Sequence, residues 1–429
     1  MVRAAPRMNV RIDSIGAGGA GVARLPDGRV VFVQRTAPGD QAMIEVVREK
    51  KRWAAGRLLR VIEPGPGRRV APCPHYGHCG GCTLEHLAYT NQLEIKADIV
   101  REALRRIGRV HIDSLPITAS PIEFHYRNRV SFTLVRLANG VVIAGFHDID
   151  RPDRVVDISA ACMLPEPPIA RTWGQLRQHW GPAAAYLPSG ERLRVTLRGT
   201  AYGAVGLVID GGFSQGQPDR LLASVHALSA IWQRPHGASA FRLLGGQALS
   251  EGFEGDGDVV VSGAVFLQVN RAAAELLQQH VLHRAQMGRL QTVVDAYCGV
   301  GLLTSRLAAL ATAVTGIELD ADAVAQASRQ APQNCRFMTG RVEDTIGELL
   351  PADLVIVNPP RAGLHPQVTR QLVERKPGRI LYVSCDPATL GRDLAQLITA
   401  YTVTDGRCFD LFPQTAHVET VLELTCVTS

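Results

Sequence analysis

From about residue 260 to the end of the chain, apolar strand-like runs alternate with segments of helical spacing. The runs TVVDAYCGVG, AVTGIELD, ADLVIVNPP and GRILYVSC are typical of buried strands, whereas LLTSRLAALA and DAVAQASRQA between them are typical of helices. Strands that alternate with helices form a parallel sheet with helices on both faces. The sequence therefore predicts an α/β, doubly wound domain over residues 259–429, with its ligand site at the strand ends.

The preceding residues predict two further domains, as expected for a chain of 429 residues. Residues 1–62 alternate short β-like runs with Gly-rich and Pro-Asp-Gly turns, which predicts a small five-stranded β-barrel of the oligonucleotide-binding type. After a linker at 63–69, residues 63–258 predict an α+β central domain. Within it, residues 87–107 have helical apolar spacing before Gly108, which predicts a helix able to pack on the catalytic domain.

The positive charge is concentrated in one short stretch. The chain carries a net charge of +6, and residues 48–69 hold eight Lys or Arg against two Glu, so this stretch supplies the whole excess. The stretch is either a solvated face or a phosphate-binding face, with Lys50, Lys51 and Arg52 as candidate RNA contacts. The strand pattern EFHYRNRVSFTLV adds Arg127 and Arg129 on a basic outer face, where an ordinary exposed face and an RNA contact are equally favoured.

The location follows from what the sequence lacks. The first twelve residues hold three Arg and no apolar core, so no signal peptide is predicted. No run approaches the roughly 18 uncharged apolar residues of a membrane span. We therefore expect a cytoplasmic protein without a membrane partner. In that compartment nine cysteines favour metal binding or catalysis over a disulfide framework.

The turn after the first strand of the α/β domain indicates a nucleoside cofactor. Gly299 and Gly301 permit a tight turn and a close approach of a ligand. A dinucleotide fingerprint would need Gly at 304, where Thr304 stands, so a pyrophosphate site is disfavoured. Glu318 ends the next strand and can accept ribose hydroxyls. This combination suits S-adenosylmethionine.

Two later strand ends carry the chemistry. Asn358 opens NPP, which amine methylases follow with an aromatic residue, but Arg361 follows here and argues against adenine methylation. Cys385 ends the next strand, so it should lie near Asn358. A nucleophilic thiolate is needed when the target carbon is itself a poor nucleophile, as carbon 5 of a pyrimidine is. A buried structural thiol is the alternative for Cys385 taken alone.

Three thiols lie within ten residues in CPHYGHCGGC. Cys73, Cys79 and Cys82 need a fourth partner to complete a tetrahedral site. His75 or His78 would complete a zinc site, whereas the distant Cys162 would complete an all-thiolate set suited to a four-iron cluster. Four other cysteines show no ligand pattern: Cys298, Cys335, Cys408 and Cys426.

The motifs DAYCGVG, GIELD, VNPPRAGL, LYVSCDPATLGRDL and HVETV occur in this order. Together they resemble the RNA (uracil-5-)methyltransferase family, and FLQVN at 266–270 resembles its cofactor-binding element. The N-terminal barrel resembles the TRAM domain of that family. The cysteine spacing looks like its iron–sulfur branch, with Cys162 as the fourth ligand of a [4Fe-4S] cluster. The resemblance covers nearly the whole chain, least clearly 165–255.

The resemblance also implies residue roles. Cys385 would be the nucleophile, and Glu419 in HVETV would remove the carbon 5 proton. The cofactor site would be lined by Gln268, Tyr297, Glu318 and Asn358, together with the glycine turn. Many relatives have Asp at the position of Asn358; a carboxylate can only accept hydrogen bonds, whereas this amide can donate as well as accept.

The sequence thus predicts 5-methyluridine formation in structured RNA, with 23S rRNA favoured over tRNA by resemblance only. A tRNA enzyme is the first alternative. A cytosine enzyme is disfavoured, because the comparable RNA enzymes carry Cys in the motif that is NPPR here. An RNA-binding ribosome-assembly factor with a vestigial enzyme domain is the alternative of another class. No obligate protein partner is evident from the sequence.

Overall fold

The computed structural model describes residues 7–253, 257–261, 267–288 and 290–427. The chain forms two compact units, and each combines two separate stretches of sequence. The first unit consists of Met1–Asn91 and Ile122–Asn270, and the second consists of Gln92–Pro121 and Arg271–Ser429.

The first unit begins with a six-stranded sheet whose strand order is β1-β5-β6-β4-β3-β2. Alternating residues of these strands are buried, as in β5 and β4, and they form one apolar core. The sequence predicted five strands; the sixth is the two-residue β2, which is too short to show an alternating pattern. The strands are β1 (Arg7–Arg11), β2 (Ser14–Ile15), β3 (Gly21–Arg24), β4 (Val30–Val33), β5 (Gln41–Glu49) and β6 (Trp53–Glu63).

A helix and a short strand follow, and both lie mainly in the second unit. Helix α1 spans Tyr89–Arg106 and strand β7 spans Ile117–Thr118. The predicted apolar positions of α1 are largely buried, among them Ile95 and Leu104. Gly108 follows the helix end, where a Cβ atom would lie 2.8 Å from the carbonyl oxygen of Leu104. The helix thus ends where a side chain would collide with its last turn.

The first unit continues with a second six-stranded sheet, in the order β13-β12-β11-β10-β8-β9, and a separate hairpin of β14 and β15. Its core is rich in aromatic residues such as Phe132 and Trp173, whose ring centroids are 4.5 Å apart. A short 3-10 turn spans Pro182–Ala184. The elements are β8 (Arg129–Arg136), β9 (Val142–Gly145), α2 (Pro167–His179), β10 (Arg192–Gly199), β11 (Val205–Asp210), α3 (Pro218–Ser224), β12 (Leu228–Arg234), β13 (Arg242–Gly246), β14 (Leu249–Phe253) and β15 (Gly257–Val261).

The second unit is built on an eight-stranded sheet in the order β18-β17-β16-β19-β20-β22-β21-β7. Strands β16 to β20 are parallel, and β22 runs antiparallel to β20 and β21. This confirms the predicted doubly wound domain. A 3-10 turn spans Ile346–Leu349. The elements are α4 (Arg271–Ala285), β16 (Leu290–Ala296), α5 (Leu302–Leu307), β17 (Ala311–Glu318), α6 (Ala321–Arg329), β18 (Cys335–Thr339), α7 (Val342–Thr345), β19 (Leu354–Val357), α8 (Pro366–Arg375), β20 (Arg379–Ser384), α9 (Pro387–Leu397), β21 (Tyr401–Phe409) and β22 (Glu419–Cys426).

Candidate active site

The carboxyl ends of the parallel strands bring most of the predicted site residues of the second unit to one edge of the sheet. Ala296 is in register with Val357 of β19, and Val357 is in register with Tyr382 of β20. The residues that follow these strands therefore emerge at the same edge. They are Tyr297, Asn358 and Cys385, and Glu318 ends the neighbouring β17.

The glycine turn after β16 is held by the Glu318 carboxylate. Gly299 donates its backbone N–H to Oε2 of Glu318 at 3.0 Å, and Leu319 donates to Oε1 at 2.7 Å. Gly299 and Gly301 both have positive φ, 57° and 76°. A Cβ atom at Gly301 would lie 2.5 Å from Phe337, whereas one at Gly299 would meet nothing within 4 Å. Gly299 therefore serves the backbone conformation and leaves space above the turn.

Tyr297 lies at the start of the same turn in a conformation that is rare for its residue type. Its φ is 67°, and such backbone strain is concentrated at functional positions. Burial raises the pKa of its phenol to about 12, so the hydroxyl stays protonated and able to donate.

Asp295 is a site residue that sequence reasoning missed. Its carboxylate is buried in β16, and Thr304 donates its hydroxyl to it at 2.6 Å. Burial, with the charge of Glu318, raises the pKa of Asp295 to about 7. Thr304 therefore replaces the third glycine of a dinucleotide fingerprint with a hydroxyl that fixes the start of α5 to β16. The available signal was an acidic residue inside the apolar run TVVDA.

The nucleophile candidate lies between a strand end and a helix start. Asp386 caps α9, because its carboxylate accepts from the backbone N–H groups of Ala388 and Thr389, both at 2.9 Å. Pro387 takes the first helical position, where no N–H is needed. Cys385 is thereby fixed at the junction, half-buried.

Glu419 lies opposite Cys385 because of the antiparallel pairing. Ser384 is in register with Thr420, so Cys385 and Glu419, which follow and precede this pair, lie near each other at the strand ends. The Glu419 side chain is buried, and this burial raises its pKa to about 8. Burial also raises the pKa of Cys385, and the charge of Glu419 adds to that shift. The two predicted catalytic residues are thus brought together.

Arg361 completes this group, although its place after NPP in the sequence argued only against amine methylation. It is exposed after β19, and its positive charge lowers the pKa of both Cys385 and Glu419. The edge therefore holds a thiol, a carboxyl that titrates near neutral pH and a cation. Such a set can form a thiolate, hold a developing anion and accept a proton.

The four predicted metal ligands are neighbours within the first unit. Burial raises the pKa of each of the four thiols, Cys73, Cys79, Cys82 and Cys162. Neighbouring thiols of the set add to the shift at Cys79, Cys82 and Cys162. Over 7–253, 257–261, 267–288 and 290–427, however, no group of three or more His, Cys, Asp or Glu residues has an arrangement that could hold a metal ion. The four thiols are the donor type that an iron–sulfur cluster requires, and they lie near one another. Their arrangement in this structure is not that of a metal site.

Polar groups of the first unit surround these thiols. Glu85 is buried, and its carboxylate accepts from the backbone N–H of Cys73 at 2.7 Å. His75, the zinc alternative, is engaged instead with the Ser159 hydroxyl, 2.9 Å from its Nε2. The positive charge of Arg127 lowers the pKa values of Cys79, Cys82 and Cys162.

The predicted RNA contacts fall into two groups. Lys50, Lys51 and Arg52 form the exposed turn between β5 and β6. Arg127 and Arg129 are instead half-buried; Arg127 donates to the Tyr126 hydroxyl at 3.3 Å, and burial lowers the pKa of Arg129.

The exposed turn is flanked by aromatic rings. The guanidinium of Arg48 lies 5.6 Å from the ring centroid of Trp53, and Phe32 meets Trp53 edge-on at 6.2 Å. Glu49 is occupied by Arg29, with 3.1 Å between Nη1 and Oε2. The turn therefore combines positive charge with partly exposed aromatic surface.

Gln268, the remaining predicted cofactor residue, belongs to the first unit. Its carbonyl oxygen accepts from the side-chain amide of Asn128 at 2.8 Å. Asn128 also donates its backbone N–H to Val269 at 2.9 Å, so two bonds fix this segment. Phe266, at the start of the FLQVN motif, lies outside the described residues.

Comparison with known proteins places this architecture in a family. Residues 340–426 match the tRNA (Uracil-5-)-methyltransferase family, residues 260–380 match the methyltransferase small domain, and residues 7–59 match the TRAM domain. An uncharacterized RNA methyltransferase of Gloeobacter violaceus is 35% identical over 440 residues, which are 97% of this chain and 96% of the relative. One of Halalkalibacterium halodurans is 31% identical, with 97% and 96% covered.

A solved structure agrees over the same extent. The Pyrococcus abyssi tRNA (uracil-54, C5)-methyltransferase in complex with S-adenosyl-L-homocysteine has a TM-score of 0.74 and 26% identity, covering 97% of this chain and 100% of that one. The fold and the strand-edge site thus define a class I, S-adenosylmethionine-dependent methyltransferase with a TRAM domain. The chain belongs to the RNA (uracil-5-)methyltransferase family and is an RNA (uracil-5-)methyltransferase. Among the described residues, no helix is long and apolar enough to cross a bilayer.

Proposed function

We propose that this enzyme methylates carbon 5 of a specific uridine in 23S rRNA, in the cytoplasm, through a covalent Cys385–uracil intermediate. The observation that carries the mechanism is the proximity of Cys385 and Glu419 at the sheet edge, next to the Ser384–Thr420 pair, with the charge of Arg361 acting on both. A methyltransferase whose target is itself nucleophilic would not need this thiol.

The first half of the mechanism belongs to Cys385 and Arg361. The thiol loses its proton to solvent, and the positive charge of Arg361 favours the resulting thiolate. The thiolate sulfur adds to carbon 6 of uracil, and the electrons of the C5=C6 bond move to form an enolate at carbon 4. Carbon 5 is then nucleophilic. S-adenosylmethionine would supply the methyl group as an electrophilic sulfonium, with S-adenosylhomocysteine as the leaving group.

The second half belongs to Glu419. After methylation, carbon 5 carries both the methyl group and its original hydrogen. The Glu419 carboxylate takes that proton, the C5=C6 bond re-forms, and the Cys385 thiolate leaves carbon 6. A carboxyl with a pKa of about 8 suits this role, because a base of that strength matches a reaction near neutral pH.

The residues proposed to hold the cofactor lie at the neighbouring strand ends. Glu318 would accept the ribose hydroxyls, the turn at Gly299 leaves room for the nucleoside, and Tyr297 would pack beside it. Asn358, exposed at the end of β19, would face the same ligand. Gln268 is proposed as a further cofactor contact on the resemblance of its motif.

We further propose that Cys73, Cys79, Cys82 and Cys162 hold a [4Fe-4S] cluster. The support is an all-sulfur donor set of mutually interacting, mostly buried thiols. Bound there, the cluster would supply a crosslink between the 73–82 segment and residue 162 of the first unit. No step of the methyl transfer depends on it.

The β5–β6 turn is proposed to grip an unpaired segment of RNA. Lys50, Lys51 and Arg52 would contact phosphates, and the Trp53–Phe32 pair would stack a base, as aromatic residues do in single-strand binding proteins. Intrinsic fluorescence can test this arrangement, because Trp173, Trp180 and Trp232 are 8% exposed or less. Quenching of Trp53 by single-stranded RNA, but not by duplex of equal length, is the expected result.

The same turn gives a test of phosphate binding. Removing one phosphate-binding side chain should lower the log–log salt slope of binding by about 0.7–0.9. Neutralising Lys50, Lys51 and Arg52 should flatten that slope and raise KM for RNA while leaving kcat nearly unchanged. An unchanged slope would mean that this stretch is a solvated face that does not bind phosphate.

A tRNA uridine is the second candidate substrate, since the Pyrococcus protein acts on tRNA by its name. The deciding experiment maps 5-methyluridine in rRNA and tRNA from a deletion strain and from the same strain complemented with the gene. Loss of one modified position in 23S rRNA, restored by the wild-type gene and not by Cys385→Ala, is the expected result. Loss confined to tRNA would replace the rRNA assignment. Unchanged methylation in both would contradict the proposed function.

A further inference from the structure

A buried carboxylate outside the reacting group connects three parts of the second unit. Asp393 of α9 is 1% exposed. Its Oδ2 accepts from the Tyr382 hydroxyl at 2.7 Å and from the backbone N–H of Leu364 at 2.8 Å. Helix α9, strand β20 and the loop after β19 therefore meet at one oxygen atom.

The neighbouring arginine strengthens the connection to the loop. Arg392 donates to Oδ1 of Asp393 from Nε at 2.8 Å and from Nη2 at 2.7 Å. The same Nη2 donates to the carbonyl oxygen of Ala362 at 2.8 Å. The loop is thus bound through a donor at Leu364 and an acceptor at Ala362.

Gly363, between these two contacts, shows how closely the loop approaches the helix. A Cβ atom at Gly363 would lie 2.4 Å from Nη2 of Arg392 and 2.6 Å from Oδ2 of Asp393. Its φ is also positive, 77°. Both the space and the backbone conformation therefore exclude a side chain at this position.

The contacts of Asp393 lie three residues from each of two reacting groups. Tyr382 precedes the nucleophile Cys385 by three residues on β20, and Leu364 follows Arg361 by three residues on the loop. The hydrogen bonds of one carboxylate therefore set the distance between the strand that carries the thiol and the loop that carries the cation.

We infer that Asp393 is a positioning residue for methyl transfer: it fixes the loop of Asn358 and Arg361 relative to the Cys385 strand, so that the cation stays beside the thiol and Glu419. This inference rests on the proposed function. Stability alone does not account for a carboxylate here, since apolar residues usually stabilise a buried position at least as well as a charged group. A directional acceptor for one N–H, one O–H and a guanidinium does account for it.

The test is the single-turnover rate of methylation at saturating RNA and cofactor. Asp393→Asn keeps the shape but replaces an acceptor oxygen with a donor. We expect it to lower this rate about 10–100-fold, since a displacement near 1 Å can cost about 10²-fold. Gly363→Ala should also lower the rate, because its Cβ atom would push the loop away from a carboxylate that is itself retained. Capture of RNA that carries 5-fluorouridine should slow by the same factor in each variant.

The matched control is Glu423→Gln, which removes another buried carboxylate of the same unit. Glu423 pairs with Arg284 and with Arg379, 2.9 Å from the Arg379 Nε, and its register partner on β20 is Leu381. We expect a similar loss in Tm but a rate within about threefold of wild type. A rate loss in Glu423→Gln equal to that in Asp393→Asn would overturn the inference, because the effect would then reflect stability.

A double-mutant cycle separates positioning from an independent role. If Asp393 acts through Arg361, then Asp393→Asn should cost much less in an Arg361→Ala background than in wild type. Multiplicative losses would contradict the inference. The proposed function fails in a different way, since it requires wild-type enzyme to form the 5-fluorouridine adduct at all.

Discussion

Two candidate sites of this protein are built on thiols, and the groups that surround the thiols differ between the two sites. Cys385 faces a carboxyl and a cation, Glu419 and Arg361, at the edge of the α/β sheet. The four thiols of the first unit instead face one another. Burial raises the pKa of Cys385 and of each of these four thiols, so the neighbouring groups make the difference.

The difference fits the two roles proposed for these thiols, a reacting thiol and a set of metal ligands. A lone thiol beside a cation can become a thiolate at modest cost and return to a thiol within one reaction. Four neighbouring thiolates would repel one another unless positive metal ions lay between them, so ionising this group requires a metal centre. The two sites should therefore fail in different ways when a cysteine is removed.

The largest expected effect is that of Cys385→Ala. Without the thiolate, carbon 5 cannot become nucleophilic, so methylation and covalent capture of 5-fluorouridine RNA should both fall below detection. Binding of S-adenosylmethionine should persist, because the glycine turn and Glu318 lie on earlier strands. A denaturing gel with radiolabelled methyl groups measures the adduct, and a covalent band that persists in this variant would refute the nucleophile.

Glu419→Gln should follow, with a rate loss of about 10²–10⁴ from the missing base. Addition and methyl transfer precede proton removal, so this variant should accumulate a methylated RNA–Cys385 adduct on the same gel. A slow variant without that adduct would place the role of Glu419 at an earlier step, such as uracil binding.

Arg361→Ala should have a smaller, pH-dependent effect. In the proposed mechanism the reactive forms are the Cys385 thiolate and the Glu419 carboxylate, so kcat/KM should rise with pH through about 8. Arg361 lowers both pKa values, so its removal raises them and moves the profile to higher pH. A combined rise of about one unit in the two pKa values corresponds to roughly tenfold at pH 7. Arg361→Lys, which keeps the charge, is the control; equal profiles for the two variants would exclude the electrostatic role.

The sequence predicted those features of the fold and the site that depend on short, local runs of residues. The strand–helix alternation after residue 260 was sufficient for the doubly wound domain. The strand ends predicted that Cys385 lies near Asn358 and that Glu318 faces a nucleoside cofactor. Each of these features is a short run followed by a turn, so its consequence follows from parallel pairing alone. The pairing of Glu419 with Cys385 came from resemblance, because no local pattern fixes which strand lies beside β20.

The remainder depends on contacts that no spacing encodes. Asp295 and Thr304 are nine residues apart, and Asp393 and Leu364 are 29 apart; neither pair has a periodic signature. For Arg127 a sequence pattern was present, but it predicted the wrong surroundings. Strand alternation assigned it to an outer basic face, but its guanidinium is half-buried against Tyr126. A period-2 pattern separates the two faces of a strand without showing what covers either face.

Cys162→Ser should have the smallest effect on methylation and the largest on the first unit. If the four thiols hold a cluster, anaerobically purified wild type should be brown, and this variant should lose iron, sulfide and visible absorption. The Tm of the first unit should also fall, because the crosslink between residue 162 and the 73–82 segment would be absent. Single-turnover methylation at saturating RNA should stay within about threefold of wild type, since Cys385 does not depend on the cluster.

Cys408→Ser, which removes a buried thiol outside both sites, is the matched control and should keep the colour. A colourless wild type with one zinc would replace the cluster by a zinc site, and a hundredfold loss in single-turnover rate would mean that the two thiol sites are coupled.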